Sequence, residues 1–313
     1  MAVQNSLAAR KTGKQSMAVY LTGDAVKNQI NSILGGKNGT RFISSVVSSV
    51  NNNPALQECT NQSILSAALL GESLNLSPSP QLGQYYMVPF NDKEKGKVAQ
   101  FQLGYKGYIQ LAIRSGQYKK LNVLAIKEGE LIRFDPLNEE IEVKLIEDEE
   151  EREQAATIGY YAMFEYVNGF RKAIYWSKRK MLAHADKYSA AFSKDGGTIK
   201  TRNGEKKKVS FADFEAGNYP ASDAWMYSSF WYKDFDGMAY KTMLRQLISK
   251  WGIMSIDMIT AMDADMAVIN EDGTKDYVDN VQDDSNVIDA EVISEETTEQ
   301  AETSAADALF GKQ

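Results

Sequence analysis

The sequence of 313 residues predicts antiparallel strand pairs interleaved with helices. Three observations carry that reading. Residues 157–176 alternate apolar and polar around Asn168-Gly169, residues 84–103 read as a second strand pair, and 40–50, 63–74 and 235–252 hold apolar residues at helical spacing.

Each element has a local reason. Tyr160, Ala162, Phe164 and Tyr166 fall on one face of a strand, because side chains alternate across a sheet. Asn168-Gly169 is the strongest short hairpin signal, and the return strand runs Phe170–Trp176. Ser177 then reads as the N-cap of a helix carrying Met181, Leu182, Ala185, Tyr188 and Phe192. Its first turn is Lys178-Arg179-Lys180. Cations there oppose the helix dipole, at roughly 0.3–1 kcal/mol each. Three together, followed by Lys187, Tyr188 and Phe192, point to an anionic partner. A solvated basic turn is the plain alternative.

Upstream, Phe42, Val46, Val47 and Val50 mark one helix, Pro54 opens a second segment, and Ser63–Leu74 is an apolar helix stopped at Pro78. Gln84–Phe90 and Lys97–Leu103 are strand-like, with 91–96 as the turn. Gly104–Arg114 reads as a helix with Ile109, Ala112 and Ile113 facing a core. Lys106, Gln110 and Arg114 share its polar face, with Tyr105 and Tyr108 interleaved as on surfaces that hold bases and phosphates. Leu121–Lys127 is a strand, and 131–134 and 141–146 form another hairpin. The acidic block Glu147–Glu153 reads as an exposed loop. Residues 193–220 form a long excursion whose Lys200, Arg202, Lys206, Lys207 and Lys208 could close over a bound strand. Ala224–Tyr232 is strongly aromatic and reads as core packing. Phe235–Gly252 is a helix with Tyr240, Met243, Leu244, Leu247, Ile248 and Trp251 apolar, and with Lys241 and Arg245 four apart on one side. A short helix is expected within 254–266.

Charge is segregated. Residues 263–313 hold fifteen Asp/Glu against Lys275 and Lys312, a net of −13. Residues 1–262 therefore hold 33 Lys/Arg against 27 Asp/Glu, a net of +6. A basic body with an acidic tail suits a protein that handles nucleic acid. The expected division is a flexible arm over 1–35, with a short helix near 24–34 and with Arg10, Lys11, Lys14 and Lys27 near phosphates; a core over 36–262; and an acidic disordered tail over 263–313. The segment Ala305–Phe310 is a candidate docking motif.

Other chemistries find little support. One cysteine, Cys59, allows no internal disulfide, and one histidine, His184, reads as a partly buried helix residue. No phosphate-binding loop or dinucleotide fingerprint is present; Gly35–Thr40 lacks the spacing. No cofactor, metal ligand or catalytic base is expected. Asp223, Asp234 and Asp236 come nearest to a carboxylate cluster, yet the last two suit a helix cap better. No apolar run of about eighteen residues and no secretory signal is present, so a cytoplasmic protein without a membrane partner is expected.

Residues 74–90 (LNLSPSPQLGQYYMVPF), 102–116 (QLGYKGYIQLAIRSG), Trp176-Ser177-Lys178, Trp225 and 238–245 (MAYKTMLR) together resemble the RecT family of phage single-strand annealing proteins. The likeness spans roughly residues 40–252 and suits a prophage of a Gram-positive host. It implies an α+β fold, an antiparallel sheet flanked by helices, with residues 36–262 as a DNA-binding and oligomerisation core, and ATP-independent annealing of complementary DNA in homologous recombination. It also implies assembly into rings or helical filaments, action in the bacterial host beside a phage exonuclease, and a C-terminal contact with that nuclease or the host single-strand-binding protein. The expected DNA-binding residues are Tyr105, Lys106, Arg114, Arg171, Lys178, Arg179, Lys180, Lys187, Tyr188, Phe192, Lys241 and Arg245. Cations would neutralise phosphates and rings would stack on bases. Two competing readings are a magnesium-dependent nuclease using the three aspartates and an assembly protein that binds DNA incidentally.

Overall fold

The computed structural model describes residues 15–92, 95–189, 191–201, 204–270 and 272–277. Short helices open it: α1 (Met17–Thr22), α2 (Asp24–Leu34), α3 (Gly36–Asn51), α4 (Pro54–Gln57) and α5 (Asn61–Ser73). Then follow β1 (Tyr85–Asp92), β2 (Gly96–Leu103), α6 (Tyr105–Arg114), β3 (Tyr118–Lys127), β4 (Leu131–Asp135), β5 (Glu140–Val143), α7 (Glu149–Gln154), β6 (Thr157–Tyr166), β7 (Arg171–Ser177) and α8 (Lys178–Tyr188). The chain continues through β8 (Thr198–Thr201), β9 (Gly204–Lys207), α9 (Phe211–Glu215), a 3-10 segment (Ala221–Tyr227), α10 (Phe230–Lys233), α11 (Phe235–Trp251), α12 (Ile256–Asp263), β10 (Ala267–Ile269) and β11 (Lys275–Tyr277).

All strand pairs among the described residues are antiparallel, and the α+β class expected from the sequence is the one observed. One sheet runs β1-β2-β10-β11 and another β3-β6-β7, while β4-β5 and β8-β9 are separate hairpins. Gly159 pairs with Ser177 and Glu165 with Arg171, and Gly169 takes φ 89°, which the turn requires of a residue without a side chain. Tyr160, Ala162, Phe164 and Tyr166 are all buried on the face the alternation assigned them.

Two apolar clusters meet along α11. Leu244 and Ile248 join the cluster of α1–α5, β1, β2 and α6. Ala239, Met243 and Leu247 join the cluster under β6 and α8. Met181 and Ala185 turn α8 onto that second cluster, which fixes the direction of its basic first turn.

The structure corrects several expectations. The arm is helical from Met17 onwards, and Met17, Leu21 and Ile30 are buried in the first cluster. Arg10, Lys11 and Lys14 lie outside the described residues, as does the segment Ala305–Phe310. The core also passes residue 262, because Asp265 is buried and β10 pairs with β2 through Ala267 and Phe101. The acidic block is a capped helix: the Asp148 carboxylate accepts from the Glu151 N–H at 2.8 Å, and Arg152 bonds the buried Glu130 at 2.6 Å. On α6, Ile113 is exposed, and Tyr108 and Leu111 face the core instead. Helix α8 ends at Tyr188, short of Phe192.

Candidate nucleic-acid interface

Three elements present the expected cations. The first is the β7–α8 junction. Ser177 caps α8, its hydroxyl accepting from the Lys180 N–H at 3.3 Å. Lys178 is drawn to Glu215 at 2.9 Å. Arg179 is exposed and makes no ion pair among the described residues. Lys180 lies 4.2 Å from the centre of the Trp176 ring, and partial burial lowers its pKa below the usual lysine value. At the far end of α8, Lys187 is exposed 4.9 Å from the Tyr188 ring, and Tyr188 packs against His184 at 4.6 Å. His184 is half-buried, as the sequence suggested. Arg171 begins β7, so roughly 20 Å of strand at 3.3 Å per residue separates it from Lys178. It is exposed and bonds the Tyr161 hydroxyl at 3.3 Å.

The second element is α6. Lys106 is exposed, 5.9 Å from the Tyr105 ring. Tyr105 is half-buried and meets Tyr240 edge-on at 5.5 Å. Arg114 is exposed but donates to the Leu74 carbonyl at 2.6 Å, tying α6 to the end of α5.

The third element, α11, differs from expectation. Lys241 is buried and its ammonium lies 2.8 Å from Asp265. Arg245 reaches the same carboxylate at 3.2 Å. Burial pushes the Lys241 pKa down while Asp265 pulls it up, and the net direction is down. Phe192 is likewise buried, 4% exposed among Phe211, Trp231, Tyr232 and Phe235.

Two neighbouring hollows share Asp234. One is lined by Tyr86, Gln102, Tyr105 and Phe230, with Lys241 at its back. The other is lined by Lys178, Glu215, Lys233 and Asp236. Asp234 caps α11, accepting from the Gly237 N–H at 3.0 Å, and Asp236 accepts from the Tyr160 hydroxyl at 2.6 Å. Asp223 pairs instead with Lys206. The three aspartates thus serve three different contacts, and among the described residues no group of three or more His, Cys, Asp or Glu is placed to hold a metal.

The excursion also divides. Lys208 is buried 4.9 Å from the Tyr232 ring and donates to the Ala191 carbonyl, so it holds the segment down. Lys207 is exposed, the Lys200 side chain is undescribed, and Arg202 lies outside the described residues. Tyr86 and Phe230 line the first hollow and were not among the residues expected from the sequence. Their only signals were the aromatic density of 85–90 and 225–232, which core packing explains equally well.

No helix among the described residues is long and apolar enough to cross a membrane. Residues 40–282 match the RecT family. The chain is 38% identical to the uncharacterized protein YqaK of Bacillus subtilis (strain 168) over 299 residues, 95% of this chain and 87% of that protein. It is 34% identical to Protein RecT of Escherichia coli (strain K12) over 132 residues, 41% of this chain and 48% of that one. The chain belongs to the RecT family, whose general role in DNA recombination is single-strand annealing.

Proposed function

We propose that this protein pairs complementary DNA strands without ATP, as a cytoplasmic homo-oligomer working beside a phage exonuclease in the host cell. One observation supports it above the others: an exposed Arg179, without an ion pair among the described residues, between Lys178 and Lys180, at a helix end where cations are unfavourable without an anionic ligand.

Two strands repel each other, and cations along both backbones remove that barrier by releasing counterions. Lys106, Arg171, Arg179, Lys180 and Lys187 are exposed and serve as the phosphate contacts. Lys178 can join them by exchanging Glu215 for a phosphate. Tyr105 and Tyr188 are the ring residues left to hold bases, Phe192 being buried. Contact is with backbone rather than base edges, so sequence is read by base pairing alone. Each subunit holds a few nucleotides and assembly multiplies the hold. The acidic C-terminal region is the proposed contact for the exonuclease or the host single-strand-binding protein.

Labelled complementary strands incubated with the protein and magnesium, without ATP, test the reading. Duplex formed with no loss of label is expected. Degradation of the strands would establish a nuclease instead, and failure to bind or pair them would refute annealing.

A further inference from the structure

Resting on the annealing reading, we propose that the rings at the mouth of the hollow between β1, α6 and α10 stack one nucleobase of a bound single strand in each subunit. Three rings frame it. Tyr86 and Phe230 lie 5.6 Å apart, inclined at 39°. Tyr105 forms a further wall and is held edge-on by Tyr240. Phe230 is 37% exposed although aromatic, so the hollow opens to solvent. The hollow itself, at about 30 Å³, is too small for a base, so the base stacks across its mouth on the exposed ring of Phe230, and stacking suits any base, whatever the sequence.

The rim carries matching polar groups. Gln102 offers an amide that both donates and accepts, while the Asp234 carboxylate stays on the α11 N–H it caps. Two glycines keep the hollow in place. A Cβ at Gly104 would lie 2.2 Å from the Gly83 carbonyl oxygen, and one at Gly237 would lie 2.2 Å from the Asp234 carboxylate. Just outside, Lys106 is exposed and makes no ion pair among the described residues. That is where the phosphate following a seated base would run. An apolar peptide side chain would use the rings but leave the cation and the amide idle, so a nucleotide fits better. The seat anchors the strand by one base and leaves adjacent bases free to pair.

Fluorescence anisotropy with a labelled oligothymidine and an abasic strand of equal length, at one salt concentration, tests this on the full chain. The wild type should prefer the strand with bases by about tenfold. Phe230→Ala and Tyr105→Ala should each reduce that preference at least threefold with the salt slope retained, and Phe230→Trp should restore it. Thermal melting checks that the variants fold. Strands carrying 5-iodouracil should crosslink to peptides containing Tyr86, Tyr105 or Phe230. Full preference in both alanine variants, or crosslinks confined to other peptides while annealing proceeds, would overturn the seat and leave the annealing reading standing. A crosslink joining the hollow to a second copy of the chain would make it a protein contact. A wild type that binds neither strand would refute both readings.

Discussion

The Lys241 ammonium lies 2.8 Å from Asp265, with the two side chains only 7% and 0% exposed. Arg245 takes the other carboxylate oxygen, and the Leu103 N–H donates to the first at 2.9 Å. One carboxylate therefore locks α11, the end of β2 and the turn before β10. Asp265→Ala would strand a buried ammonium and an amide N–H. The expected loss is about 3–5 kcal/mol, read as a lower urea midpoint. A loss below about 1 kcal/mol would show that the lock is not structural.

Glu130 and Arg152 form a second lock. Burial raises the Glu130 pKa, but bonds from Arg152 and from the Lys127 and Ile146 N–H groups outweigh it, and the net direction is down from 4.5. Between the folded value and 4.5 the unfolded chain holds more protons, so stability rises with pH there. The contribution is full above that window and is lost as pH falls through the folded value. Urea titrations from pH 6 to pH 3 should therefore show a steeper acid loss in the wild type than in Glu130→Gln. Equal slopes would contradict this.

Ser177 separates stability from binding. Its hydroxyl satisfies the Lys180 N–H, and among the described residues it bonds no Lys or Arg side chain. Ser177→Ala should lower stability by about 1 kcal/mol in thermal melting while leaving the salt slope of DNA binding unchanged. A changed slope would place the cap itself against the strand.

What was legible in the sequence was what short-range rules decide. The β6–β7 hairpin, the Ser177 cap and the Asp234 cap follow from alternation, a turn dipeptide and cap chemistry. The fates of Lys241 and Phe192 were not legible. Each depends on a partner brought by tertiary packing: Asp265, 24 residues on, and the aromatic cluster of α9–α11. The acidic block misled for the same reason, since Glu130 lies 22 residues before Arg152. Helical spacing tells which side chains share a face, not what that face meets.

The acidic end gives another test. Residues 281–313 hold nine Asp/Glu against Lys312, a net of −8, and lie beyond β11. Their removal should leave strand binding unchanged or tighter, because a polyanion competes for the same cations. The comparison is an anisotropy titration at low and moderate salt. Weaker binding would assign the tail a direct part in holding DNA.

The most direct measurement is the annealing rate of Lys178→Ala/Arg179→Ala/Lys180→Ala across a salt series, beside its melting curve. The wild-type melting curve, a salt slope reduced by about two to three, and annealing slowed at least tenfold are the results expected of phosphate contacts at the head of α8. Wild-type annealing and an unaltered slope in a folded triple variant would contradict the proposed interface.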